Sequence, residues 1–268
     1  MNKFIILMLA IGSQAHAAGT LSAKDIMTKN EDARKVSDFE GASRLTTGSD
    51  TDKTGKTKDF TTYRKIQADG VHNSTMTRFH APAEVRDEGI LIIENPNGKN
   101  DVLLYLPNFK KIRRVESTQQ SGSFMGSVFS YSDVATPHVE DYDYKELRTE
   151  KCPTTEAAKV MCHVIESTPA NNDVRDRTGY SRAVSWVRDD NSMGVAADYY
   201  GLDNQLLKHL EANQVKMIDT QNKKWMAHSV RMNNFKTKEF TLMTFTDVHA
   251  NKGIPDSTFT QQNLQKVK

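Results

Sequence analysis

The chain has 268 residues, 37% of them hydrophobic, and carries 36 Lys and Arg against 34 Asp and Glu, a formal charge of +2. That hydrophobic share suits a folded chain rather than a disordered one. The near balance of charge, with no strongly basic patch, argues against nucleic acid as a partner.

The first residues bear on the compartment. Lys3 gives a positive start, Phe4 to Ile11 is a short apolar run, and Ala15-His16-Ala17 has the small-x-small pattern of a signal-peptidase site, with cleavage expected before Ala18. The competing reading is an uncleaved membrane anchor, for which the apolar run is short. No Cys stands at the cleavage point, so lipid anchoring of the mature N-terminus is not expected. Residues 1–17 therefore read as a signal peptide. In a Gram-negative host the mature protein is expected in the periplasm. Residues 18–268 show no repeat, linker or composition shift and read as one domain of about 250 residues.

Leu21 to Val36 reads as a helix, with Ser22 as N-cap and Ile26, Met27, Ala33 and Val36 at helical spacing. Beyond it, runs in which Thr, Val, Ile, Tyr and Phe alternate with polar residues read as strands. The first group is Phe39–Thr47, Asp59–Gln67, Asn73–His80, Gly89–Glu94, Asp101–Leu106 and Lys111–Glu116. A second group is Tyr142–Arg148, Cys162–Ser167, Ser181–Arg188, Gly194–Tyr200, Gln205–Glu211, Val215–Asp219, Lys224–Asn234 and Lys238–Val248. Asp69-Gly70, Asn97-Gly98 and Asp203-Asn204 supply turns, so successive strands should pair antiparallel as a meander. A short turn is expected at Ala81 to Asp87, and a short helix after Pro255-Asp256-Ser257.

Two stretches depart from simple alternation. Ile90 to Ile93 and Val102 to Leu106 are apolar on both faces, so these strands should be covered on both sides, by protein or by a cavity. Ser117 to Tyr131 is rich in Gly and Ser yet carries Phe124, Met125, Val128, Phe129 and Tyr131. It reads as a flap folded onto a hydrophobic face, either opening for a ligand or plugging the core.

Cys152 and Cys162 flank a polar, turn-like segment between strands, which reads as a disulfide clipping a hairpin loop. Such a bond stabilises by roughly 2–3 kcal/mol. A redox or metal site would need CxxC spacing or further ligands; His163 adjoins Cys162, but nothing completes a set of four. His72 and His80 flank one strand and could share a face, a pair without a third ligand. Asp141, Asp143, Glu140 and Glu146 cluster as paired carboxylates would, or as a solvated edge does. No GxSxG, HExxH, P-loop or dinucleotide fingerprint occurs. The sequence thus assigns no catalytic residue, no metal and no cofactor. Lys110-Lys111 with Arg113-Arg114 forms a basic rim, either solvated or facing lipid phosphate or an acidic partner.

Several longer runs carry a resemblance. They are Arg78-Phe79-His80-Ala81-Pro82-Ala83-Glu84-Val85-Arg86-Asp87-Glu88-Gly89-Ile90-Leu91-Ile92, Leu104-Tyr105-Leu106-Pro107, Lys111-Ile112-Arg113-Arg114 and Gly122-Ser123-Phe124-Met125-Gly126-Ser127. Later come Asp198-Tyr199-Tyr200 before Leu206-Leu207-Lys208, then Met232-Asn233-Asn234, Thr244-Phe245-Thr246-Asp247-Val248 and Phe259-Thr260. In order and over most of the chain, these resemble the outer-membrane lipoprotein-sorting proteins, relatives of LolA that often accompany RND-type exporters. Residue-level likeness to classical LolA is weak.

The resemblance implies a mainly β fold: a single antiparallel, half-open β-barrel of LolA/LolB type, of about eleven strands, with a few helices as a lid over the concave face. It also implies an apolar inner surface for lipid or lipoprotein acyl chains, with an inner-membrane RND-type transporter as partner, peripheral membrane contact and no enzymatic activity. Expected lining residues are Leu91, Ile93, Val102, Leu104, Leu106, Phe124, Met125, Phe129, Trp186, Met226 and Val230. Their strand parity is open, because a one-residue slip exchanges the faces. Met76, Met125, Met193, Met226, Met232 and Met243 would suit an adaptable surface or serve as core filler. The same fold also resembles periplasmic regulators that sense mislocalised lipoproteins and bind an anti-sigma factor, which gives a second functional expectation.

Overall fold

The computed structural model describes residues 21–52, 54–96 and 100–266. Residues 1–17, read from the sequence as a signal peptide, and the expected Asn97-Gly98 turn lie outside the described residues. Helix α1 (Ala23–Ala33) opens where the sequence places it. The Ser22 hydroxyl accepts from Asp25 N at 3.1 Å and the Asp25 carboxylate accepts from Ser22 N at 3.0 Å, satisfying two free N–H groups of the first turn.

The strands are β1 (Asp38–Ser49), β2 (Lys56–Ile66), β3 (Asn73–Ala81), β4 (Gly89–Ile93), β5 (Asp101–Leu106), β6 (Lys111–Val115) and β7 (Tyr142–Lys151). They continue as β8 (Met161–Pro169), β9 (Tyr180–Arg188), β10 (Gly194–Gly201), β11 (Leu206–Asp219), β12 (Lys224–Asn234) and β13 (Glu239–Ala250). All join one antiparallel sheet in the order β6-β5-β4-β3-β2-β1-β13-β12-β11-β10-β9-β8-β7. The sheet has 13 strands rather than about eleven. The sequence runs 205–211 and 215–219, read as two strands, form the single β11, whose pairing with β12 continues from Asn213–Ser229 to Val215–Ala227. Short helices α2 (Tyr131–Val134), α3 (Asn172–Thr178) and α4 (Gln261–Leu264) lie between and after the strands, with several single 3-10 turns.

The strand order has a consequence for the site. The first and last strands pair in the middle, and the two free edges, β6 and β7, are neighbours in sequence. The sheet stays open between them. The long β6–β7 connection, residues 116–141, is the flap. The described hairpin turns fall at two ends: those after β1, β10 and β12 at one, and those after β2 and β11, together with α1, at the other.

Two apolar layers flank the sheet. On the concave face Leu45, Phe60, Phe79, Ile90, Ile92, Val102 and Met232 pack with Phe124, Val128 and Phe129 of the flap. On the convex face Met76, Leu91, Leu103 and Tyr105 pack under Ile254, Phe259 and Leu264 of the C-terminal segment. Strands β4 and β5 are therefore apolar on both faces because the C-terminal segment covers one and the flap core covers most of the other, with Ile92 at the edge of the cavity. Approach here is close: a Cβ on Gly89 would lie 2.7 Å from Leu264 Cδ1, which only glycine avoids. Arg78 ties the same segment down, donating to the Asn263 carbonyl at 2.9 Å.

The disulfide Cys152–Cys162 is formed, with a Cα–Cα distance of 5.0 Å. It packs on the convex side against Ala157 and Val195, with Trp186 beside it. His72 and His80 do not come together. His72 Nδ1 contacts Asp69 Oδ2 at 2.6 Å and His80 Nε2 contacts Thr61 Oγ1 at 2.8 Å, at opposite ends of β3. The acidic cluster is dispersed into ion pairs along the β7 edge: Glu140 with Lys24, Asp141 with Arg177 and Glu146 with His163.

Candidate functional site

Strand alternation decides which side chains face inward. On β2 the inner residues are Phe60, Thr62, Arg64 and Ile66, and on β3 they are Asn73, Thr75, Thr77 and Phe79. At the end away from α1 the inner face is filled by Phe79, Met232 and the flap phenylalanines. At the α1 end it carries small groups, among them Thr62, Thr75, Ser185, Ala196 and Ala212. Side chains of that size cannot meet across a curved sheet, so a space remains. It is a cavity of about 430 Å³ beneath α1, bounded inside by Phe124 and Phe129. That volume lies within the range of about 300–1,000 Å³ usual for small-molecule sites.

Helix α1 forms the roof through Met27, Asn30, Glu31 and the following Arg34, Lys35 and Val36. The flap forms the floor and one wall. Its hairpin is tied by Phe124 N to Phe129 O at 2.7 Å and to the sheet by Val128 N to Thr241 Oγ1 at 2.9 Å. The tip reverses at Met125 and Gly126, both with positive φ, a conformation easy for glycine and uncommon for methionine. The flap thus acts as a plug over half of the concave face and as a wall for the other half.

The far end of the flap is fixed by a buried carboxylate. Glu94 accepts from Asn73 N at 2.7 Å and from Thr136 N at 3.0 Å. His138 Nε2 lies 3.2 Å from Glu94 Oε2, without the in-line geometry of a hydrogen bond, and the His138 ring packs on His72 with centroids 5.1 Å apart. Burial pushes the Glu94 carboxyl up, but the contact with His138 and the amides of Asn73 and Thr136 outweigh it, and its pKa is lowered. The Glu94 contact in turn raises the His138 pKa against the opposing effect of burial.

Among the described residues three cations line the cavity, Arg34, Lys35 and Arg64, and the two arginines are the most enclosed. Arg64 lies over the Phe39 ring at 4.7 Å, and Arg34 Nε donates to the Asn30 carbonyl at 3.1 Å. Both keep some accessible surface because they face the cavity, yet protein surrounds them. Desolvation lowers both pKa values, that of Arg64 to about 10 with the charge of Arg34 adding to the effect. Tyr199 also lines the space, its hydroxyl pKa raised chiefly by burial.

Of the residues expected from sequence, Phe124, Phe129, Met226 and Val230 line the cavity. Val102, Leu104 and Met125 lie on the concave side, within or against the filled core rather than at the cavity surface. Leu106 is half-buried at the end of β5, away from the cavity lining. Leu91 and Ile93 point to the convex face beneath the C-terminal segment, so the parity on β4 is the reverse of that expected, and Ile92 takes the inner position. Trp186 is also convex, its Nε1 donating to Glu150 Oε1 at 2.8 Å, while Val187 next to it faces inward. Of the methionines, Met193, Met226 and Met243 reach the cavity, whereas Met76 and Met232 are core. Sequence reading missed Arg34, Arg64 and the small inner residues. A signal was present: Arg64 shares the inner parity of Phe60 and Ile66.

A family model described as "Uncharacterized protein" matches residues 72–266. Among solved structures, a DUF1329 family protein from Desulfovibrio piger is 25% identical, with a TM-score of 0.82, covering 90% of this chain and 97% of its own. A domain named for outer membrane lipoprotein sorting, from Vibrio parahaemolyticus, is 23% identical with a TM-score of 0.82, covering 91% of this chain and 98% of its own. A LolA superfamily protein from Nitrosomonas europaea is 19% identical with a TM-score of 0.70, covering 91% and 100%. No curated protein matches the chain. The match to residues 72–266 places the chain in the family of that model, and its thirteen-stranded open sheet, superimposing on these structures, has the LolA-like fold.

Proposed function

We propose that the protein is a periplasmic carrier that holds an alkyl tail of a lipid or lipoprotein in the cavity beneath α1 and hands it toward the outer membrane. The observation that carries this reading is the division of the concave face into a filled half and an open half. The open half is walled by Phe60, Ile92, Phe129, Met226, Met243 and Phe245, apolar groups that leave a tail-sized space. An alkyl tail moved out of water gains roughly 0.8 kcal/mol per methylene. Ten buried methylenes therefore supply roughly 8 kcal/mol before the cost of ordering the tail. That is strong enough to hold a cargo and weak enough to release it at a membrane. The methionines on the wall adapt to tails of differing shape. The fold's relatives support a role in sorting rather than in chemistry, and the carrier reading requires no reaction on the cargo. An RND-type exporter in the inner membrane is the proposed donor, and the sequence reading of residues 1–17 supplies the export route.

Delipidated protein is mixed with donor vesicles containing a fluorescent acyl lipid and with unlabelled acceptor vesicles. Protein-dependent transfer, with one lipid per chain at saturation, is the expected result. Transfer no faster than spontaneous exchange, together with no binding of the probe, overturns the carrier reading.

A further inference from the structure

The cavity is not uniformly apolar. Arg64 occupies an inner-face position between Thr62 and Ile66 on β2, directly opposite Thr75 of β3. Arg34, which follows α1, and Lys35 line the same space. Among the described residues neither arginine has a carboxylate within ion-pairing distance. The Arg64 guanidinium has the face of Phe39 as its partner, and Arg34 has a single backbone carbonyl. Each guanidinium carries five N–H donors in a fixed fork. Enclosing such a group without an anion is costly, and placing two of like charge near one another adds to the cost.

Nearby carboxylates relieve it only in part: the charge of Glu31 acts on Arg34 and that of Glu94 on Arg64, yet desolvation outweighs both and neither forms an ion pair with them. Asp133 is held by Lys208 Nζ at 3.0 Å and by the Tyr180 hydroxyl at 3.0 Å. Glu31 accepts from Val139 N at 3.1 Å. Glu94, close enough to act on Arg64 by its charge, is already engaged by Asn73, Thr136 and His138. Each of these carboxylates is hydrogen-bonded to other groups, and among the described residues none pairs with either guanidinium, so the arginines are left with donors to spare. The position of the pair is equally specific. It lies at the α1 end of the cavity, while Phe124 and Phe129 close the opposite end. An amphiphile entering beneath α1 would bring its tail to the phenylalanines and its polar end to the arginines.

Resting on the carrier reading above, we infer that Arg34 and Arg64 form a seat for an anionic headgroup, a phosphate or a carboxylate, of the amphiphile whose tail fills the cavity. A guanidinium fork matches both oxyanions bidentately, and two of them can clasp one headgroup. The cargo is then an anionic lipid or fatty acid rather than a neutral diacyl chain.

The test uses the protein freed of bound lipid and displacement of a neutral fluorescent probe, N-phenyl-1-naphthylamine, at pH 8. Three competitors share a fourteen-carbon tail: tetradecyl phosphate, tetradecanoate and tetradecan-1-ol. At least one anion should bind about tenfold or more tighter than the alcohol, the effect of one hydrogen bond to a charged group. Which anion wins assigns the headgroup as phosphate or carboxylate. In Arg34→Gln/Arg64→Gln the ratio of anion to alcohol affinity should fall to about one. If that variant does not fold, the wild-type preference should still weaken several-fold on raising salt from 0.05 to about 0.5 M, as an anion–guanidinium contact requires. Equal binding of all three competitors by wild type overturns the headgroup seat and leaves the carrier reading intact. Failure of all three to bind overturns both. A preference that survives in the double variant overturns the assignment to these residues.

Discussion

Ala196 and Ala212 offer the sharpest perturbation of the cavity. Both are nearly inaccessible to solvent, at 2% and 6%, and both line the space rather than the packed half of the concave face. Replacing both with leucine adds six carbon atoms that project into the void. If each displaces one methylene of a bound tail, affinity falls by up to about 5 kcal/mol, or about three orders of magnitude. Stability should move the other way. Leucine placed in a filled core costs roughly 1–3 kcal/mol through overpacking. In an existing apolar void it gains burial instead, so unfolding in urea should shift to equal or higher denaturant. Displacement of an acyl probe and urea unfolding, followed on the same preparation, give the two readouts. A double variant that binds the probe as tightly as wild type, or that loses 1–3 kcal/mol of stability, contradicts the reasoning: the space would then be either irrelevant to binding or not a space.

Three other perturbations test separate parts of the account. Cys152→Ser with Cys162→Ser removes a cross-link spanning 10 positions, which chain entropy values at about 3 kcal/mol, read as a lower urea midpoint; an unchanged midpoint refutes it. Leu264→Ala, at a fully buried position against Gly89 on the convex face, should cost about 2–5 kcal/mol by the same assay while leaving acyl-probe binding within twofold of wild type. The Glu94–His138 pair predicts a pH window. Glu94 titrates lower in the fold than its ordinary 4.5, so its contribution is present above that value and is lost as pH falls through the folded value. His138 titrates above its ordinary 6.5, so its contribution is complete below that and is lost as pH rises through the raised value. The stability difference between wild type and His138→Gln should therefore be larger at pH 6 than at pH 9, measured by urea unfolding; a difference independent of pH contradicts the pairing.

Much of the fold was legible because period-two alternation and turn residues are local signals. The β1–β6 and β7–β13 runs needed only β-branched and aromatic residues punctuated by Gly, Asn and Asp. The capping of α1 by Ser22 was equally local. The disulfide was legible from the short polar segment between two strands. What failed was global. Parity on β4 could not be read from Ile90-Leu91-Ile92-Ile93, because both faces are apolar and the C-terminal segment that covers one lies far away in sequence. Trp186 was expected on the cavity wall, yet its indole N–H found Glu150 on the convex face. The cavity itself is made by what is missing: Thr62, Thr75, Ala196 and Ala212 carry too little bulk to meet the opposite wall, and no pattern rule flags small residues. The flap was recognisable as apolar, but only packing shows Phe124 and Phe129 serving as plug and wall at once.

The central claim is that an alkyl tail lies between α1 and the inner face of the sheet. Co-crystallisation with a fatty acid brominated at its terminal carbon tests it most directly, through the anomalous scattering of the halogen. The account predicts one strong bromine peak beside Phe124, Phe129 and Val230, with the carboxylate end toward α1. A crystal that binds no ligand at saturating concentration, or a peak confined to the exposed Leu202–Phe235 surface at the other end of the sheet, would contradict it.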